Sequence, residues 1–449
     1  MKLKTILDLP CGMRFIFSEM EFASSFSGQV LLDSVMNTTP AAIEGSYNEL
    51  REFLSLYQTI GGSATLDKCR AALLDLRDIR NTLTALESGK VPDDVELFEI
   101  KNLAFISEKV RGILAPVNLK SVNFPDLADI VSLLDPEGHG IPSFYIYDSF
   151  DSKLSELRKK IRNSGDESGA ILAECLIIEA RVREMLGNRL KGSVFGLREA
   201  LMSLAKADIL ISKSILTKKL NLTIPEIATG INKYSSVFNP EISAILSREN
   251  KTFQKVNIEL DLNKPTILTG ANMGGKSVVL KTLALSQFLF QFGFGVPAAS
   301  AEITPVEEIH YSPGDLQDMT RGLSSFAAEM KMADRLIKNS AHGHKILALL
   351  DEPARTTNPQ EGTALVTSLL NILNGRPVFV LVATHYNVKA KGCARIRVKG
   401  LEEGKMNYEL IEAGESAPPR EAVNIALSLG IDREWLDEAI RVMDEQNKE

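Results

Sequence analysis

Tryptophan occurs once, at Trp435, and aromatic residues make up only 6% of the 449 residues. Base-stacking platforms for nucleic acid, which depend on aromatic faces, are therefore not prominent. The four cysteines, Cys11, Cys69, Cys175 and Cys393, lie far apart, with no CxxC pair and no Cys/His cluster. That pattern argues against a zinc site and fits reduced, packed thiols in a cytoplasmic protein. No apolar run reaches the roughly 20 residues that a membrane helix needs. The N-terminal MKLKTILDLPCGMRF is broken by Asp8 and Pro10, which makes it a poor signal peptide. A cytoplasmic location with no membrane partner is the expectation. The net charge of −7 argues against wholesale coating of nucleic acid but leaves room for a local basic face. Repeats and low-complexity tracts are absent as well.

What is there suffices for two or three domains, each long enough to bury its own core. The first ~235 residues carry helical apolar spacing. Residues 41–56 place Ile43, Tyr47, Leu50 and Leu54 on one stripe, and 66–86 and 98–114 follow the same pattern. Residues 144–151 (FYIYDSFD) form a short aromatic segment with extended character. Two long helical patterns follow, at about 151–162 and 169–219, separated by the polar turn 163–169. They are expected to fold back on each other as an antiparallel pair. Pro225 and Pro240 bracket a stretch that looks loop-rich. The second half changes character. Short β-type runs at 264–269 (KPTILT), 345–350 (KILALL), 377–383 (PVFVLVA) and 394–399 alternate with helices, predicting a parallel sheet covered on both faces. The tail at 420–443 is helical, with a break at Gly430.

The first of those runs ends in GANMGGKS, residues 270–277, which fits G-x-x-x-x-G-K-[ST] in full. Gly270, Ala271, Asn272, Met273, Gly274, Gly275, Lys276 and Ser277 would form the phosphate cradle. The glycines let backbone amides approach phosphate oxygens, and the following helix points its positive end at the same anion. Lys276 can reach the β- and γ-phosphates of ATP, and the Ser277 hydroxyl can ligate Mg2+. A Gly-rich turn at a helix start is the bland alternative; the complete motif, with strand, helix and a distant acidic partner, outweighs it. That partner is LALLDE, residues 347–352. Its strand delivers Asp351 and Glu352 to the sheet edge where ligands sit in open α/β folds. Asp351 would hold Mg2+ and Glu352 would polarise the attacking water. LVATH (381–385) brings His385 to the same edge, where it could sense the γ-phosphate or the water.

These residues resemble the MutS family of DNA mismatch repair ATPases, a branch of the ABC-type ATPases. TGANMGGKS matches the family's TGPNMGGKS, with Ala271 in place of proline. DMTRGLSSFAAEM (318–330) resembles D-x-x-x-G-x-S-T-F-x-x-E-M: Gly322, Ser324, Phe326, Glu329 and Met330 match, and Ser325 replaces threonine. LLDEPARTTNPQEG resembles LLDEIGRGTSTYDG at Arg355, Thr357 and Gly362, and ATHYN resembles the histidine-switch segment. The resemblance is strong over about 240–440 and weaker upstream, where 23–54 looks like the start of the family's helical core. It implies an all-α helical core/lever domain followed by an α/β P-loop NTPase domain of ABC type. The domains would be a helical core and lever at 1–235, the ATPase at 236–415 and a C-terminal dimerisation segment at 416–449. It further implies a Mg2+-dependent ATPase acting as a homodimer with composite sites, in which Ser324 completes the γ-phosphate site in trans. A Ser/Thr cap on an amphipathic helix would account for Ser324 equally well. No residue singles itself out to stack adenine; Phe253 is a candidate by position. The family's mismatch-reading and connector domains are expected to be missing, the clamp to be reduced to 163–169, and no nuclease-like domain to follow.

Residues 151–200 carry ten positive and eight negative side chains. That excess suits a solvated helix face better than a DNA-binding one on charge alone. Two functions stay open. One is an ATP-gated protein of the MutS type that binds mismatched or structured DNA. The other is an ATPase that remodels or reactivates a protein partner, such as a cobalamin-dependent aminomutase, without DNA.

Overall fold

The computed structural model describes residues 1–117, 119–141, 143–164, 169–270, 274–313, 325–402, 405–414, 426 and 431–446. It divides into two compact units: Met20–Ser34 with Asn48–Ile215, and Met1–Glu19 with Val35–Tyr47 and Leu216–Glu449. The chain thus crosses between units more than once.

The first unit is helical. Its central helix, Asp94–Leu114, starts with a capping box in which Asp93 accepts from the Glu96 backbone and Glu96 returns the bond. Leu97, Ile100, Ala104, Val110 and Leu114 then bury one stripe of it against the helix Gly62–Leu73 and its neighbours. The stripe includes one charge. Lys101 is 1% exposed, and its ammonium donates to the Tyr147 hydroxyl at 2.8 Å and to Asp135 at 3.2 Å. Burial, the Tyr147 hydrogen bond and Lys101 act on Asp135 together, and the net effect is a carboxyl held below its ordinary value. The aromatic segment around Tyr147 is therefore fixed by polar anchoring; only Asp148–Phe150 within it has regular form, a single 3-10 turn.

Two expected helices are each broken in two. Residues 66–86 fall into Gly62–Leu73 and Arg80–Glu87, where the Asp78 carboxylate accepts from the Arg80 backbone and starts a new helix. Residues 169–219 fall into Gly169–Lys191 and Val194–Lys219, with Ser193 closing a turn on Leu190 at 2.8 Å. Apolar periodicity runs through both breaks and hides them.

The other unit holds ten strands among the described residues: β1 (Glu226–Ile227), β2 (Ile231–Val237), β3 (Val256–Asp261), β4 (Thr266–Thr269), β5 (Ser300–Ile303), β6 (Glu308–Ser312), β7 (Ile346–Asp351), β8 (Val378–Ala383), β9 (Ala394–Glu402) and β10 (Lys405–Glu412). The six-stranded sheet runs β10-β9-β4-β8-β7-β6, parallel throughout except at β10. Every residue of β7 and β8 is buried, as expected of parallel strands covered on both faces. A smaller sheet, β1-β5-β2-β3, occupies part of the stretch read as loop between Pro225 and Pro240. That stretch looks polar because β2 buries Asn232, whose amide group bonds Gln287 and the Thr304 backbone.

The helix Lys276–Gln291 follows β4 and is buried almost all round. Its polar groups are fully engaged. Gln287 donates to the Thr304 carbonyl at 3.0 Å, and Gln291 donates to the carbonyls of Asn37 and Val306, both at 2.7 Å. Tyr47 donates to the Phe294 carbonyl at 2.9 Å, which places the 35–47 segment in this unit. No helix of the described residues is long and apolar enough to cross a membrane.

Candidate nucleotide site

Strand order brings the three sequence signals together. β8 lies between β4 and β7, and Ala383 at its end is in register with Leu268 on one side and Asp351 on the other. The loops after all three strands therefore leave the sheet at one level. Gly270 has φ +140°, and a Cβ there would sit 3.1 Å from Val398, so only glycine fits. Gly275 has φ +77° and begins the helix Lys276–Gln291. Lys276 is buried, with its ammonium turned back onto the Gly270 carbonyl at 2.8 Å. Ala271, Asn272 and Met273 lie outside the described residues, as do Gly322 and Ser324.

Ser277, in the first turn of that helix, hydrogen-bonds Asp351. The two expected metal ligands are thus neighbours. Asp351 is 8% exposed, and its Oδ1 is buried without a hydrogen-bond partner. An orphaned carboxylate oxygen beside a hydroxyl is a hard-oxygen donor set that fits Mg2+. Burial raises the Asp351 carboxyl above its ordinary value, although the Ser277 bond pulls the other way. A raised carboxyl contributes stability while protonated, fully so below its unfolded value, and loses it as pH rises through the folded value. Burial thus opposes ionisation of Asp351 in the nucleotide-free chain, and Ser277, Lys276 and Arg355 offset it only in part. Asp351→Asn is expected to raise the thermal midpoint of the nucleotide-free protein at pH 7, with the gain shrinking toward pH 4. Scanning fluorimetry across that range checks this; a midpoint lowered at pH 7 would contradict it.

Glu352 follows with φ +48°, and Ala354 with φ +61°. Left-handed conformations of this kind cost non-glycine residues about 1–2 kcal/mol each, so the turn is held by its surroundings. The Glu352 amide donates to the Ala383 carbonyl at 2.8 Å, extending the β7–β8 pairing by one bond. Its carboxylate lies 3.3 Å from His385 Nε2 and 3.7 Å from Arg355. The histidine and the glutamate that the sequence placed at one edge are therefore in contact.

Sequence reasoning gave three neighbours no role. Glu329 accepts from the Ala354 amide at 2.9 Å, and the Tyr386 hydroxyl donates to the Ala354 carbonyl at 3.1 Å. Tyr408 of β10 packs near Gly275 across a cavity of about 1060 Å3 that also touches Phe253, Gly274 and Met406. Phe253 thus lies beside the cradle. β10 carries the alternation of a strand at Met406, Tyr408 and Leu410, a signal that sequence reasoning passed over, and its pairing with β9 contains an irregularity between Asn407 and Leu410.

A mostly parallel sheet that gathers a glycine-framed lysine, a buried carboxylate and a Glu–His pair at one edge is compatible with a MutS-type ATPase domain. Comparison with known proteins agrees. Residues 266–406 match the family described as MutS domain V. The Endonuclease MutS2 of Caldicellulosiruptor bescii is 34% identical over 319 residues, 69% of this chain and 38% of that protein. The Endonuclease MutS2 of Aquifex aeolicus is 32% identical over 247 residues, 55% of this chain and 29% of that protein. The DNA mismatch repair protein MutS of Acetivibrio thermocellus is 28% identical over 223 residues, 49% of this chain and 25% of that protein. This chain belongs to the MutS family. It spans less than two fifths of the length of these relatives.

Proposed function

We propose that the chain is a Mg2+-dependent ATPase of the ABC type that closes as a head-to-tail homodimer on ATP and reopens on hydrolysis, coupled to binding of mismatched or structured DNA. One observation carries the ATPase reading: Lys276, Ser277, Asp351, Glu352 and His385 converge at the ends of three adjacent strands. In this reading residues 270–277 wrap the phosphates, and Lys276 leaves the Gly270 carbonyl to meet them. Ser277 and Asp351 hold Mg2+, whose charge neutralises phosphate oxygens when bound. Glu352 accepts a proton from the attacking water, with His385 fixing the carboxylate and sensing the γ-phosphate. Ser324 of the neighbouring chain completes the site. Residues 1–235, 236–415 and 416–449 would serve as core and lever, ATPase and dimerisation segment.

The DNA part rests on the relatives, one of which is named a DNA mismatch repair protein. A second reading, a protein partner in place of DNA, has an observation in its favour. Arg158, Arg162, Arg183 and Arg198 are all in ion pairs within their own unit. On the helix Gly169–Lys191, meanwhile, Leu172, Leu176 and Ile177 are exposed. Anisotropy titrations with branched, mismatched and plain duplex DNA, at two salt concentrations and with and without ATP, separate the two. Binding that weakens steeply with salt is the expected result. Absence of binding to all three DNAs in every condition would sink the DNA reading and leave the ATPase reading standing.

A further inference from the structure

The backbone of Ala354 is held at both its N–H and its carbonyl. Glu329, on the helix Ser325–Ala341, accepts from its N–H at 2.9 Å. Tyr386, next after His385, donates to its carbonyl at 3.1 Å. The tyrosine is itself located: its amide bonds the Thr384 hydroxyl at 3.0 Å, and a Cβ on Gly362 would come within 2.8 Å of its hydroxyl oxygen. Glycine at 362 is thus what lets the phenol reach Ala354. Burial, with the charges of Glu352 and Glu329 adding, holds the Tyr386 phenol above its ordinary value, which favours the protonated, donating form. Ala354 belongs to the turn that sets the direction of Glu352, and that turn holds two non-glycine residues in left-handed conformations. Local bonds within it, such as Thr357 N–H to the Ala354 carbonyl at 3.2 Å, do not reach the Ala354 amide.

We propose that Glu329 and Tyr386 are positioning residues that clamp the backbone of Ala354 from its N–H and its carbonyl and thereby aim the Glu352 carboxylate. The catalytic half of this inference rests on the ATPase reading given above; the clamp itself does not. A misaimed base costs rate more than binding, because distances at the reacting atoms enter the barrier steeply. Glutamine at 329 keeps a carbonyl oxygen that can accept from Ala354, whereas alanine does not.

The test uses the full chain as Glu329→Ala, Glu329→Gln and Tyr386→Phe. Amide hydrogen exchange of a peptide covering 352–357 is read by mass spectrometry without nucleotide, and ATP turnover is read separately. In Glu329→Ala the Ala354 amide is expected to exchange at least about tenfold faster, and kcat to fall about tenfold with KM within about twofold. Glu329→Gln is expected to restore both. If Glu329→Ala does not fold, Tyr386→Phe carries the same comparison. Unchanged exchange overturns the clamp. Altered exchange with unchanged kcat, or failure of Glu329→Gln to rescue, overturns the positioning role. If the wild-type chain hydrolyses no ATP, the ATPase reading and the positioning role fall together, and exchange still decides the clamp.

Discussion

Lys276→Ala is expected to lower ATP affinity by on the order of 100-fold or more. The ammonium is buried and sits on the Gly270 carbonyl, at the mouth of the cradle, so it needs only to turn toward a phosphate to make charge-assisted bonds. Hydrogen bonds to charged groups contribute about 1.5–3 kcal/mol each, and about 2.7 kcal/mol corresponds to 100-fold in affinity. The loss is larger than a surface lysine would give, because the site is shielded from solvent. Titration with a fluorescent ATP analogue in Mg2+ measures it, and a melting curve confirms that the variant is folded. An affinity within about fivefold of wild type would remove Lys276 from the phosphate site. It would leave the Gly270–Ser277 segment as a helix-capping turn.

Glu352→Gln is expected to reduce turnover by about 100- to 1000-fold while nucleotide binding stays within about threefold. General-base contributions commonly span about 100- to 10,000-fold. The substitution is nearly isosteric, so it removes the proton acceptor without reshaping a turn held at φ +48°. Glutamine can still meet His385 Nε2, which lies 3.3 Å from the carboxylate. In the dimer reading the variant binds ATP and stays closed, and sedimentation of Glu352→Gln with ATP should show a dimer that persists. Single-turnover quench measurements give the rate of the chemical step. A rate within about threefold of wild type would show that another group activates the water, and Asp351 would then be examined first, since its carboxyl is the one raised by burial.

Much of the candidate site was legible because its signals are local. The runs before Asp351 and His385 are uninterrupted apolar strands, the shorter one before Gly270 sets Ile267 and Leu268 between two threonines, and each functional residue comes where the run stops. The strand order that makes them neighbours was not legible, since β4, β8 and β7 are far apart in sequence. Residues whose partners are equally far apart escaped too. Tyr47 shows a helical stripe position, yet nothing local indicates that its hydroxyl meets Phe294, 247 residues on. Glu329 shows in the sequence as one match in the signature stretch, and its contact appears only when Ala354 is placed beside it. β2 stayed hidden for the opposite reason: its buried Asn232 is polar, and the apolar alternation that signals a strand is thinned by it.

The buried amides on the helix after the cradle have a further consequence. A cylinder coated with hydrocarbon on nearly all sides could settle at several angles about its own axis at little cost. Gln287 and Gln291 remove that freedom, because a rotation of one residue, about 100°, would strand their amide groups among Thr304, Val306 and Asn37. They act as an indexing pin, and the azimuth they fix at one end is the azimuth at which Lys276 and Ser277 emerge at the other.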